Sequence, residues 1–162
     1  MMSDRERASV DLGMRILDEA LMALGESPTQ NSPFFRAAEP LIGVFPNLYL
    51  EKPDVAPFRF VFSTTLDVWV GPFSEVFLVD VLKTSPDALR EAIERILRSG
   101  VSVDTGWRVT TTTITLTEPA ARPWLRLRVR ARGVPHGLAS YYEPFHPPMT
   151  GRIVEADYEY PI

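Results

Sequence analysis

Phe58, Phe60 and Phe62 alternate with Arg59, Val61 and Ser63, and a period of two sets three rings side by side only on one face of a β-strand. A row of phenylalanines must be covered, so the chain has to build a second layer against it. Residues 66–70 read as the next strand. Gly71 and Pro72 then break the run, and 76–82, apolar on both faces except for Asp80, reads as a central strand. Three strands in succession describe a meander.

The covering layer is legible in two helical patterns. Ser3 with Glu6 three positions on is a capping box, Val10, Met14, Leu17, Leu21 and Leu24 follow the helical rhythm, and Gly25 can turn left-handed and end the segment. A second helix is predicted over 86–99, with Ser85 as N-cap, Pro86 at the first helical position and Gly100 just past its end. Leu89, Ala92, Ile93, Ile96 and Leu97 form its apolar stripe, and Glu91/Arg95 and Glu94/Arg98 are spaced to pair on its wet side.

Between the first helix and the phenylalanine strand, residues 28–57 hold six prolines. Each removes a backbone donor and fixes φ, so the segment reads as a wrapping loop with one short extended piece at 47–51. Phe34, Phe35, Leu41, Ile42 and Phe45 are too apolar for a solvated linker, which puts this loop against the domain. After the second helix, 107–117 is rich in β-branched residues, and 124–131 alternates with Leu125, Leu127, Val129 and Ala131 inward. Beyond Arg132 come five prolines, four of the five tyrosines and both histidines. The last stretch, 152–160, alternates like a strand with one wet face. The expected fold is α+β: an antiparallel or mixed curved sheet of about five to seven strands with two helices packed on one face. Residues 1–162 are expected to form a single domain, with the Pro/Tyr-rich segment 133–162 docked on it.

Composition removes whole classes of chemistry. The chain has no cysteine, which excludes disulfides, thiolate metal sites and cysteine nucleophiles. Two histidines ten residues apart do not match the spacing of a compact zinc site, so neither a metal nor a cofactor is expected. The formal charge of −4 is wrong for a nucleic-acid binder. No run approaches the roughly 18 apolar residues of a membrane span, and the charged start lacks an apolar leader, which together predict a cytoplasmic protein that avoids membranes.

Glycine-rich phosphate loops, nucleophile elbows and H-E-x-x-H pairs are all missing from the sequence. The candidate site is therefore the proline-bounded tail segment: Tyr141, Tyr142 and Phe145 as apolar contacts, with His136, His146 and Glu143 as its titratable groups. Arg126, Arg128 and Arg130 share one strand face and offer planar forks for phosphate, with Trp124 as a stacking platform beside them. Glu155, Asp157 and Glu159 form the opposite stripe, and the expected register pairs 152–160 with 124–131, acid against base. Trp69, Trp107 and the phenylalanine row are candidates to line an apolar cavity behind the sheet.

Small size, mild acidity and a tyrosine-rich tail point to a protein-binding module rather than an enzyme. The alternative is a small-molecule binder or small enzyme that uses a cavity between sheet and helices, with 136–146 as its lid. In size and in its loose β-β-α-β-β order the chain resembles small bacterial immunity proteins. The resemblance is carried by no motif and transfers no residue. It implies a protein partner, a toxin that the chain neutralises by covering it.

Overall fold

The computed structural model describes residues 1–38, 45–105, 111–118, 122–130 and 139–146. Helix α1 (Asp4–Ala23) starts at the expected capping box: the Glu6 amide donates to Ser3 Oγ, and the Ser3 amide donates back to the Glu6 carboxylate at 2.6 Å. Its stripe is buried at Val10, Leu17, Leu21 and Leu24, and Gly25 ends it with φ 81°. Helix α2 (Pro86–Leu97) buries Leu89, Ile93, Ile96 and Leu97. Ser85 occupies the N-cap position without a side-chain cap bond, so fixed proline φ starts this helix.

Strands β1 (Phe35–Ala38), β2 (Asn47–Leu50), β3 (Phe58–Phe62), β4 (Thr65–Val70) and β5 (Ser74–Asp80) form one antiparallel sheet in chain order. The phenylalanine row of β3 is at most 1% exposed. It faces α1, where Gly13 lets the helix approach: a Cβ there would lie 3.0 Å from Phe62 Cδ1. Strands β6 (Gly100–Thr105), β7 (Thr111–Glu118), β8 (Arg122–Arg130) and β9 (Ala139–Tyr142) form a second antiparallel sheet, ordered β8-β7-β6-β9. The fold is α+β, and one hydrophobic cluster joins both helices and both sheets.

Several expectations change. The strands divide into two sheets because α2 intervenes and β6 to β9 bond among themselves, leaving β5 and β6 unpaired with each other. The extended piece expected at 47–51 is present as β2, but the proline segment also contributes β1: Phe35 and Leu50 pair across the hairpin, and the prolines fall outside both strands. Gly100 opens β6, a strand absent from the sequence reading. Strand β5, read as central, lies at the edge of its sheet. On α2, Arg90 pairs with Asp87 and Glu94, while Arg95 reaches across to Glu118.

Candidate functional site

The tail segment read as an irregular loop is a strand followed by an anchor. Strand β9 pairs with β6, setting Tyr142 opposite Val101 and Tyr141 opposite Ser102. Tyr142 packs on the core, whereas Tyr141 is 62% exposed and lies across Gly100, where a Cβ would come within 2.6 Å of its hydroxyl. Asp54, at φ 65°, turns its carbonyl to the Glu143 amide, and Val55 bridges the same residue. Phe145 is 1% exposed, edge-on to Phe34 and Phe35, with the Lys52 ammonium 5.2 Å from its ring. The His146 amide donates to the Leu97 carbonyl, and its ring stands 4.0 Å from the Glu26 carboxylate.

These contacts make Tyr142, Phe145 and His146 fasteners that close the end of the core. Burial withdraws Phe145 from any surface contact, leaving Tyr141 and Glu143 as the exposed members of the set. His136 lies outside the described residues, as do Trp107 and the 152–160 stripe with Glu155, Asp157 and Glu159.

On β8, Arg126 and Arg128 are exposed opposite Thr115 and Thr113, and Arg130 stands opposite Thr111. Trp124 does not share their face. The ladder shifts between Leu116 and Thr117, making Trp124 the extra residue of a bulge, and a one-residue bulge reverses the parity of what precedes it. Its indole Nε1–H donates to Ser99 Oγ at 2.7 Å, and the Arg95 guanidinium stacks 4.3 Å from the ring. The indole thus clamps α2 to the second sheet, and no base can stack on it without breaking the clamp.

A different surface gathers the residue types that make contacts. In the first sheet the face turned away from α1 carries a continuous row, Arg36 opposite Tyr49, Tyr49 opposite Arg59, Arg59 opposite Trp69 and Trp69 opposite Glu75. The row is pre-ordered. Arg59 bonds Asn47 Oδ1 at 3.1 and 3.3 Å, and both Arg36 and Arg59 stack on the Tyr49 ring, at 5.4 and 5.7 Å. Glu51 holds Arg36 at 2.7 Å, which raises the affinity of the guanidinium for its proton and lowers that of the Glu51 carboxyl. The next row runs Asn47, Val61, Asp67, Leu78.

Trp69 therefore lies half-buried on the face turned away from α1, not on the phenylalanine side, because it alternates with the buried Val68 and Val70. Its parity could have been read from the sequence. The Arg36–Tyr49 part could not, since it depends on the pairing of the extended piece at 47–50 with β1, a strand hidden among prolines.

Of the two clefts that stand out among the described residues, one of about 230 Å³ lies among Glu91, Glu94, Arg95, Arg98 and Glu118. The other, of about 330 Å³, opens between α1 and the first hairpin, lined by Met14, Thr29, Gln30, Phe35, Ala37 and Leu48. Among the described residues no three His, Asp or Glu side chains converge as metal ligands, and no helix is long and apolar enough to cross a membrane. Comparison with protein-family models, with curated proteins and with solved structures gave no match.

Proposed function

We propose that this chain is a protein-binding module of the immunity type, one that neutralises a cognate toxin by covering it, and that the toxin docks on the open face of the five-stranded sheet. The observation that carries this reading is the Arg36, Tyr49, Arg59, Trp69 row across four strands. Tyrosine, tryptophan and arginine are the residue types most enriched where binding energy concentrates. Holding Arg59 and Tyr49 in place before contact also reduces the entropy lost on association. The resemblance to immunity proteins in size and element order agrees with it.

The test uses the chain as bait against a lysate of the source cells, in three forms: wild type, Trp69→Ala with Arg59→Ala, and Arg126→Ala with Arg128→Ala as a control on the other sheet. The expected result is one protein retained by wild type and control and lost by the first variant, with at least about a hundred-fold lower affinity once purified. Retention by all three forms, or by none, contradicts the reading. A small-molecule site is the second reading, favoured by the cleft beside Met14 and Phe35, whose volume is at the small end for ligand pockets.

A further inference from the structure

Strand β5 has the composition of a central strand and the position of an edge. Val76, Phe77, Leu78 and Val79 are apolar on both faces, yet among the described residues β5 is hydrogen-bonded only to β4. Exposed edges are ordinarily blunted by charge, above all lysine, by proline, by a bulge or by shortness. This one is seven residues long with no lysine, arginine or proline, its charges are the acids Glu75 and Asp80 toward its two ends, and Leu78 between them is 56% exposed. Its one irregularity, the register shift at Val68/Trp69, lies toward its start, and Phe77 to Asp80 pairs with β4 without interruption.

We propose that the edge of β5, which among the described residues pairs only with β4, takes up an extended segment of the protein partner, a strand carrying lysine or arginine on one face and apolar side chains on the other. This rests on the protein-binding reading and extends the same surface. The sheet face is about 19 Å across and about 17 Å along its strands, roughly 320 Å² in projection, against about 800 Å² per partner in a standard interface. A partner seated on the face must reach beyond it, and the β5 edge is contiguous with it through Glu75 and Leu78.

Charge selects the chemistry of the added strand. On the open face Asp67 lies opposite Leu78 and Glu75 opposite Trp69. Asp67 accepts a bond from Thr65 Oγ1, and among the described residues neither carboxylate has an ion pair. Burial and the charge of Asp67 both hold the Glu75 carboxyl above its ordinary range. A cationic side chain on the neighbouring strand would relieve both acids, while Phe77 and Val79, beside Leu66 and Val68 on the core face, require an apolar neighbour. Such addition uses main-chain bonds for affinity and side-chain alternation for specificity.

The probe is a synthetic nine-residue peptide alternating lysine or arginine with valine, compared with its glutamate counterpart, and read by hydrogen exchange at β5 amides and by titration calorimetry. The expected result is slowed exchange at Phe77 to Asp80 with the basic peptide, at least about ten-fold weaker binding of the acidic one, and a similar loss in Leu78→Lys. Leu78 is exposed and opposite Asp67, so that variant should melt no lower than wild type. Basic-peptide binding that leaves β5 exchange unchanged, or that survives Leu78→Lys, overturns the proposal, as does no binding at millimolar peptide. A concentration-dependent dimer abolished by Leu78→Lys would overturn it in favour of a second copy. A lysate partner that needs Trp69 but leaves β5 amides unprotected would overturn the edge inference alone, whereas no partner at all would overturn the reading beneath it.

Discussion

Ile93 carries the most direct test of how the layers are joined. It is fully buried in the middle of the α2 stripe, inside the cluster that includes both sheets. Ile93→Ala removes three carbons, worth about 0.8 kcal/mol each in lost transfer energy, or about 2.4 kcal/mol. The residual cavity brings the cost to about 3–5 kcal/mol, because a close-packed site collapses only in part. For a chain of this size, 3 kcal/mol lowers the thermal midpoint by roughly 6–12 °C. The assay is urea unfolding followed by circular dichroism, with Leu78→Ala as a control, since an exposed strand residue should change stability by less than about 0.5 kcal/mol. Equal midpoints for Ile93→Ala and wild type would refute the burial of α2.

Three further outcomes follow from particular contacts. Gly13→Ala gains about 1 kcal/mol of helix propensity but sets a Cβ 3.0 Å from the ring of Phe62, which is itself 1% exposed, so a net loss of up to about 2 kcal/mol is expected in chemical denaturation; a gain would mean that the ring yields freely. Trp124→Phe deletes the bond to Ser99 Oγ and should cost about 1–3 kcal/mol, with faster amide exchange at the C-terminal end of α2 as the measured sign that the clamp has opened. Glu75→Gln should raise the melting temperature at neutral pH, because a carboxyl whose folded pKa is raised destabilises the fold above that pKa and stops doing so as the pH falls through it; the gain must vanish in acid, and a gain independent of pH would place its cause elsewhere.

What the sequence disclosed was whatever is local. The Ser3–Glu6 box, the α2 stripe, the β3 rings and the β4 alternation each depend on residues within a turn or two of one another, and all appear in the structure. Position within a sheet is not local: the apolar run of β5 reports that both its faces favour contact, not that a neighbour is present. Strand β1 was masked by prolines that stand outside the strands, and β9 by a composition that suits a loop. In the tail, the burial of Phe145 and the half-burial of Tyr142 follow from contacts with Phe34, Phe35 and Val101 that are remote in sequence. The orientation of Trp69, by contrast, follows from its parity with Val68 and Val70.

Docking of another protein on the first sheet, on the face turned away from α1, is read out by hydrogen exchange of the chain alone and in complex with the protein it retains from lysate. Slowed exchange is expected across the first sheet, in β1 to β5, with β8 and β9 unchanged. Slowed exchange confined to β8 and β9, with the first sheet as open as in the free chain, would contradict it.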